Sequence, residues 1–215
     1  SVPLLRGRLQ VQVLPGSPCM DGAMDRSPEL TAFLTASSAA LRAATTGPAL
    51  DVAERLIARW NGSVGTPSKG ESARLPVCDW VAPALATAHP ERTELARTFG
   101  ALQDRLTWKR RGGADPANAA FWDGHANAVV VGPGGLEERK DLWIGATVMA
   151  PGTLYPDHHH APEEAYLSLT PGDWWNSQMD WTDPGPTGFI YNPPGITHAM
   201  RAGAGPFLAL WYLPL

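Results

Sequence analysis

Residues that could bind a metal ion or act in catalysis are concentrated in two short segments of this chain. The first, residues 152–166, holds three consecutive histidines and Glu164, and the second, residues 188–198, ends at His198. Four of the six histidines of the protein lie in these segments. Neutral imidazoles with one carboxylate can bind iron, manganese, nickel, cobalt or zinc, and they select weakly among these ions. The two segments therefore predict a site for one divalent transition metal ion.

Strand geometry indicates how these side chains could reach one point. His158 and His160 are two residues apart, so on a β-strand both rings leave the same face, whereas His159 leaves the other face. Glu164 follows after a short break, and His198 comes directly after a tight Pro-Pro-Gly turn. We expect His158, His160, Glu164 and His198 to be the metal ligands, with positions left open for substrate or water. A surface histidine run that binds metal fortuitously is the alternative.

The elements that must position these residues follow from a change in hydrophobic periodicity. From about Phe121, short apolar segments alternate with Gly-Pro and Pro-Gly pairs, which is typical of a β-sandwich or barrel. Before that point apolar residues recur at helical spacing, starting from Ser27-Pro28-Glu29. We expect an N-terminal helical region over residues 1–115 packing on a β-barrel over residues 116–215. Predicted helices begin near residues 27, 48 and 90, and predicted strands cover residues 128–131, 142–149, 164–169, 188–191 and 207–212.

Composition limits the classes of function. The 215 residues are 44% hydrophobic and 18% charged with a formal net charge of −4, as in an ordinary soluble globular protein. The cationic run at residues 109–111 is interpreted as a solvated helix end, and no basic stripe is present to neutralise phosphates. No apolar run is long enough to cross a bilayer, and the start lacks a secretory signal. We expect a small-molecule substrate, no nucleic acid, no membrane, a cytoplasmic location, reduced Cys19 and Cys78, and a possible homo-oligomer.

The two segments resemble the paired motifs of the cupin superfamily. The first fits the pattern Gly-x5-His-x-His-x3-Glu-x6-Gly from Gly152, with one extra residue before the last glycine. The second fits Gly-x5-Pro-x-Gly-x2-His-x3-Asn from Gly188, one residue short after that glycine and with Ala202 in place of asparagine. The resemblance implies a mainly β fold, a double-stranded β-helix or jelly-roll barrel, with the N-terminal helices added to it.

Within the cupins, the arrangement Tyr-Pro-x-His-x-His-x3-Glu-x-Tyr, beginning at Tyr155, narrows the resemblance. Together with a helical N-terminal half and a Trp-rich barrel, it resembles the cupin-type dimethylsulfoniopropionate (DMSP) lyases, mainly over residues 150–200. This resemblance implies cleavage of DMSP into dimethyl sulfide and acrylate. On it, His158, His160, Glu164 and His198 match metal ligands, Tyr166 matches the general base, and Tyr155 matches an additional tyrosine near the substrate.

The residues suit that chemistry. Loss of dimethyl sulfide is a β-elimination, so a proton must leave the carbon next to the carboxylate, and a metal on that carboxylate would stabilise the developing charge. A tyrosine has a pKa near 10, which a nearby cation lowers, and Tyr166 lies beside the predicted ligands. The sulfonium group suits an aromatic face. Residues that could supply this face are Trp143, Trp174, Trp175 and Tyr191; for tyrosine and tryptophan alike, a structural role is the alternative.

Two other functions share the same ligands. A cupin Fe(II) dioxygenase acting on a small organic substrate would hold ferrous iron in this set and leave positions open for oxygen. A non-catalytic cupin module would use the barrel only to bind a ligand. Oxygen dependence distinguishes the dioxygenase from the lyase, and turnover of any substrate distinguishes both from a binding module.

Overall fold

The computed structural model describes residues 26–68 and 71–215, in which helices precede a β-rich C-terminal half. The α-helices are α1 (Pro28–Ala44), α2 (Pro48–Gly62), α3 (Val81–Ala86), α4 (Thr93–Gly100) and α5 (Ala119–Gly124), and short 3-10 helices cover Pro76–Trp80, Pro90–Arg92 and Gln103–Arg105. The strands are β1 (Thr66–Pro67), β2 (His125–Val131), β3 (Glu137–Glu138), β4 (Leu142–Met149), β5 (Leu154–His158), β6 (Glu164–Ser168), β7 (Gly172–Asn176), β8 (Met179–Thr182), β9 (Phe189–Asn192), β10 (His198–Ala202) and β11 (Phe207–Pro214).

The strands form two hydrogen-bonded sheets and do not close into one continuous barrel. A seven-stranded sheet has the order β1-β3-β2-β4-β11-β6-β9, and a four-stranded sheet has the order β5-β10-β7-β8. Neighbouring strands are antiparallel, except that β2 meets β3 in a parallel pairing. Strands distant in sequence are neighbours in both sheets, as in a jelly roll built of two sheets. The predicted mainly β fold class, with strands in a jelly-roll order and an N-terminal helical region, is confirmed.

Strand β11 shows how the layers are stacked. Leu208, Leu210 and Tyr212 belong to the apolar cluster that includes helical residues, whereas Phe207 and Trp211 belong to the cluster between the two sheets. Successive strand residues point to opposite faces, so a strand covered on both sides is a continuous apolar run. The seven-stranded sheet is therefore the middle layer, with helices on one face and the four-stranded sheet on the other.

The helical region shares a core with the sheets. The rings of Trp60 in α2 and Tyr212 in β11 have centroids 5.8 Å apart. The Tyr212 hydroxyl donates to Ser37 Oγ at 3.1 Å, and Trp60 Nε1 donates to Ser38 Oγ at 3.2 Å, both in α1. These buried polar groups are satisfied across the layer boundary. The division at residue 115 stays a prediction, since the main apolar cluster crosses it.

Local signals placed some helices well and others poorly. Helix α1 begins at the predicted cap, where Ser27 Oγ accepts from the Leu30 backbone N–H at 3.3 Å. The helix predicted from residue 90 is instead a 3-10 turn, then α4, then a second 3-10 turn.

Cys78 is buried and free, while Cys19 lies outside the described residues. In the described part of the chain, no helix combines the length and apolar character needed to cross a membrane. Location, partners and oligomeric state stay predictions.

A glycine in the middle sheet makes room for a large side chain. Gly145 in β4 pairs with Trp211 in β11. A Cβ atom at position 145 would lie 2.2 Å from Cζ2 of Trp211 and 2.3 Å from the backbone oxygen of Ala128. These distances are far below van der Waals contact, so only glycine fits beneath this indole.

Candidate metal centre and its cavity

The predicted metal ligands come from both sheets. His158 is the last residue of β5, His198 is the first residue of β10, and the two are antiparallel partners. Glu164 begins β6 in the other sheet. His160 lies in the segment between β5 and β6, outside any strand. The side chains converge as expected, but His160 reaches the site from a connecting segment and not from the strand that carries His158.

His160, Glu164 and His198 form one compact group of donor atoms. Glu164 Oε2 lies 3.1 Å from Nε2 of His160 and 3.2 Å from Nε2 of His198. One potential ligand atom from each of the three residues lies within 4.8 Å of the other two. Glu164 and His198 are buried, and His160 is partly exposed. Two imidazole nitrogens and a carboxylate oxygen at this spacing are compatible with a transition metal ion.

Backbone carbonyls two residues away orient the three predicted histidine ligands. Nδ1 lies 3.0 Å from a carbonyl oxygen in each case; the carbonyls belong to Pro156, Pro162 and Ile196 for His158, His160 and His198 respectively. A carbonyl can only accept, so Nδ1 carries a proton, and a neutral ring then has its lone pair on Nε2. Metal-binding histidines are typically held by such a bond on the nitrogen that does not face the metal.

His198 provides a test of whether a cation fits. Its Nε2 is buried and makes no hydrogen bond with any residue that the structure describes, although Glu164 Oε2 is 3.2 Å away. A lone pair facing a carboxylate oxygen at this distance is repulsive, so a proton or a metal ion is needed between them. Burial works against the charge of Glu164, but the neighbouring His160 and His198 lower the pKa of its carboxyl to about 2. The residues present fit a divalent ion.

His158 lies beside this group without being one of its three members. Its ring centroid is 4.0 Å from that of His198 and 6.3 Å from that of His160. Burial, together with the neighbouring His198 and Arg111, lowers the pKa of His158 to about 3. The ring is therefore neutral at neutral pH and keeps a free lone pair. His158 stays a predicted fourth ligand.

A cavity of about 200 Å³ adjoins these groups. Its lining consists of Arg111, Asn127, Trp143, Thr147, Tyr155, His158, His160, Glu164, Tyr166, Met200, Trp211 and Leu213. Both predicted catalytic tyrosines therefore line the same cavity as three of the predicted ligands. A space of this size suits a small organic molecule.

The two tyrosines have different surroundings. The Tyr155 hydroxyl accepts from Nδ2 of Asn127 at 3.0 Å, and Oδ1 of Asn127 accepts from the Thr147 hydroxyl at 2.7 Å. Burial raises the pKa of Tyr155 to about 12, and the bond from Asn127 opposes this rise. Burial and the charge of Glu164 raise the pKa of Tyr166 well above its usual value of 10. Both phenols are protonated at neutral pH unless a cation is added nearby.

The four aromatic residues predicted to hold the substrate are placed differently. Trp143 lines the cavity, whereas Trp174, Trp175 and Tyr191 lie outside its lining. Trp174 is 1% exposed, behind the cavity wall. Trp175 is its neighbour on β7 and points to the other face. The Tyr191 hydroxyl donates to Glu163 at 2.6 Å. The structure thus brings one of the four to the cavity.

Sequence reasoning missed several cavity residues. Asn127, Thr147 and Met200 lie in strands and carry no motif. Trp211 is not among the four aromatic residues predicted to hold the substrate. The interpretation of residues 109–111 as a helix end is wrong, because Lys109 forms an antiparallel bridge with Asn127 and α4 ends at Gly100. That cationic run was the one available signal for Arg111, which lines the cavity.

His125 is a further buried group beside the site. Its ring stacks on Phe121 with centroids 3.6 Å apart and an interplanar angle of 3°. Nδ1 faces the Phe121 carbonyl, and Nε2 accepts from the Arg111 backbone N–H at 2.9 Å. One nitrogen must donate and the other must accept, so this arrangement requires the neutral ring. Burial, opposed by the bond to Phe121, lowers the pKa of His125.

This arrangement predicts a pH-dependent contribution of His125 to stability. Below about pH 6.5 the unfolded chain binds a proton on His125 that the folded chain does not, so the free energy of unfolding falls as the pH drops. We expect His125→Gln to reduce this slope by up to one proton, or about 1.4 kcal/mol per pH unit. Urea denaturation of metal-free protein between pH 5 and 7 measures it. His159→Gln, at an exposed position, should keep the wild-type slope; an unchanged slope in His125→Gln contradicts the prediction.

Comparison with known proteins decides the family. The model of the dimethylsulfoniopropionate lyase family matches residues 51–209, which is more than half of the chain. The chain belongs to the DMSP lyase family. The matched region includes all four predicted ligands and both tyrosines. Two of the cavity-lining residues, Trp211 and Leu213, lie beyond its end.

Relatives of the DMSP lyase family resemble the chain in sequence and in fold. A Cereibacter sphaeroides protein assigned as the DMSP lyase DddL is 32% identical over 110 residues, which are 51% of this chain. The match spans about half (45%) of that relative's length. A chain from the crystal structures of the DMSP lyases RdDddP and RnDddQII has a TM-score of 0.71 and 22% identity, covering 87% of this chain and 92% of that one. DMSP lyase DddQ from Ruegeria pomeroyi DSS-3 has a TM-score of 0.69 and 24% identity, covering 88% and 93%. At these identities the two structures establish a shared fold.

Proposed function

We propose that this member of the DMSP lyase family cleaves DMSP into dimethyl sulfide and acrylate by a metal-dependent β-elimination. The observation that carries the proposal is the shared cavity: Tyr155 and Tyr166 line the space that His160 and Glu164 also line, inside the family region. A base and a cation site at one small cavity are the two requirements for removing a proton next to a carboxylate.

The proposed reaction balances without an external oxidant or reductant. A proton leaves the carbon next to the carboxylate, and the electron pair of that C–H bond forms the C=C bond of acrylate. The C–S bond breaks with its electrons remaining on sulfur, which leaves as neutral dimethyl sulfide. One proton is released to solvent per turnover. A divalent ion held by His160, Glu164, His198 and His158 would polarise the substrate carboxylate as a Lewis acid and lower the pKa of the neighbouring phenol.

In this proposal Tyr166 is the general base. Its hydroxyl is buried, and its strand position is two residues after Glu164, so the phenol and the donor atoms leave the same face of β6. Burial makes the phenolate a strong base once formed, since little water competes for it. Tyr155 is the second tyrosine. The Asn127 amide donates to its oxygen, so the Tyr155 proton is free to be donated to a substrate oxygen.

The remaining lining residues would hold and shield the substrate. Trp143, 37% exposed, supplies an aromatic face at the cavity edge for a sulfonium group. Trp211, Met200 and Leu213 supply apolar surface that excludes water from the reacting carbon. Neutral dimethyl sulfide interacts more weakly with an aromatic face than the sulfonium does, which favours its release.

The direct test measures dimethyl sulfide in the headspace above purified protein and DMSP by gas chromatography. We expect release from metal-loaded protein and a fall of at least about 100-fold after chelation, with recovery when Fe, Zn, Mn, Co or Ni is restored. The same rate is expected with and without oxygen. Acrylate formed in equal amount confirms the stoichiometry.

Each failure of this test has a defined meaning. If metal-restored protein releases no dimethyl sulfide, the lyase proposal is wrong. Activity that requires oxygen would instead indicate the dioxygenase. Full activity in protein shown by elemental analysis to hold no metal would contradict the metal dependence while leaving the substrate assignment intact.

A further inference from the structure

The Arg111 guanidinium lies at the cavity with no carboxylate or hydrogen-bonding partner among the described residues. It lines the cavity, is partly exposed, and its central carbon lies 5.8 Å from the Tyr155 ring centroid. Across residues 26–68 and 71–215, its side chain makes no ion pair and no hydrogen bond. The adjacent Arg110 is paired: its guanidinium donates to Asp123 at 3.0 Å and to the Trp122 carbonyl at 2.6 Å. Arg111 therefore keeps all of its donors free beside the reaction space.

The backbone at Arg111 is fixed by a buried group. Its N–H donates to Nε2 of His125, which is fully buried and stacked on Phe121. Two residues earlier, Lys109 and Asn127 exchange backbone hydrogen bonds at 2.8 Å in both directions. The connection that carries Arg111 is thus tied to β2 at two points. A held backbone reduces the entropy lost when the side chain binds a ligand.

The charges around the cavity distinguish the two ends of DMSP, which is a zwitterion with a carboxylate at one end and a sulfonium at the other. Glu164 is the only carboxylate among the lining residues, and its oxygens face the imidazoles of His160 and His198. Arg111 faces the cavity with its positive charge uncompensated. A carboxylate beside Arg111 would be attracted and could accept two parallel hydrogen bonds, whereas a sulfonium placed there would be repelled.

We propose that Arg111 binds the substrate carboxylate and so fixes which end of the substrate lies beside Tyr155. The sulfonium is then directed to lining residues without positive charge, among them Trp143. A carboxylate has lone pairs enough to accept from Arg111 and still leave an oxygen for a metal ion. The identity of the substrate rests on the proposed function, but the preference for an anion at this position does not.

The test compares Arg111→Met with Arg110→Met, which removes the same charge from the neighbouring, already paired residue. For DMSP we expect Arg111→Met to raise KM by about tenfold or more with a smaller change in kcat, and Arg110→Met to keep the wild-type KM. Propionate carries the carboxylate alone and trimethylsulfonium carries the sulfonium alone. In Arg111→Met, the inhibition constant for propionate should rise by about tenfold or more, and that for trimethylsulfonium should stay the same or fall. Arg111→Lys should recover part of the propionate affinity.

The outcomes keep this proposal separate from the lyase proposal. If the wild type cleaves DMSP and Arg111→Met leaves KM and propionate affinity unchanged, the role of Arg111 is wrong and the lyase stands. Equal weakening of propionate and trimethylsulfonium also overturns it, since that indicates a general distortion of the cavity. If the wild type does not cleave DMSP, calorimetry with propionate on metal-loaded protein still decides: binding lost in Arg111→Met and kept in Arg110→Met supports the anion site alone.

Discussion

Tyr166→Phe is expected to lower dimethyl sulfide release by about 10²–10⁴-fold while the protein keeps its metal. The change removes one buried hydroxyl and leaves the ring, which packs 6.2 Å from Trp174, in place. Without the phenol oxygen of residue 166, the proposed site has no general base beside Glu164. The measurement is kcat from headspace gas chromatography, with metal content determined on the same preparation.

Tyr212→Phe is the matched control for Tyr166→Phe. Tyr212 is also buried, and its hydroxyl donates to Ser37 in α1. It lies on the helical face of the middle sheet and does not line the cavity. We expect this variant to lose stability and to keep its kcat. Full activity in Tyr166→Phe would rule out Tyr166 as the base. If Tyr166→Phe also loses its metal, the fall in kcat would be due to the metal centre and not to proton transfer.

His198→Ala is expected to give protein that does not retain stoichiometric metal and has activity no higher than the chelated wild type. His198 is 1% exposed, and its Nε2 makes no hydrogen bond with the described residues. Removing it deletes one donor of the compact three-residue group and leaves Glu164 buried with His160 as the other imidazole of that group. Elemental analysis after dialysis and the headspace assay measure the two losses.

His159→Ala is the control for His198→Ala. His159 is exposed and is not one of the cavity-lining residues, yet it belongs to the same histidine run. Metal content and activity should stay at the wild-type level. If His198→Ala keeps both metal and rate, the metal centre is not built on the group that includes Glu164, and the ligand prediction fails.

The fold was predictable where a strand is covered on both faces. Strands β4 and β11 were found from sequence because their side chains are apolar on both sides, one facing the helices and one the other sheet. None of the predicted strand ranges covers β5, β7, β8 or β10, although the spacing of His158 and His160 was interpreted as that of a strand. These strands belong to the four-stranded sheet, whose strands mix polar, aromatic, aliphatic and small residues without a regular order, so the alternation that marks a strand is weak. Helices α3 and α5, six residues each, are too short for a periodic signal.

The candidate site was predictable in its donors and not in its supporting contacts. His158, His160, Glu164 and His198 carry residue types and spacings that point to a metal even before a fold is known. The bond between Asn127 and Thr147 arises because the two are partners across β2 and β4. Such a pairing depends on strand register, which no local pattern in this chain fixes. Which aromatic residues reach the cavity depends on register in the same way.

Gly145 has a consequence for how this cavity can change. Gly145 itself does not line the cavity. Trp211 does, and its indole occupies the space where a Cβ atom of residue 145 would be. The backbone oxygen of Ala128 closes the other side and cannot rotate away as a side chain could. Any larger residue at 145 would therefore push the tryptophan into the reaction space. Because Ala128 contributes a backbone atom, a smaller residue at 211 would not by itself make room for a side chain at 145. The cavity can have an indole in its wall at 211 only while residue 145 is glycine, so its size is controlled from a strand position that lines no part of it.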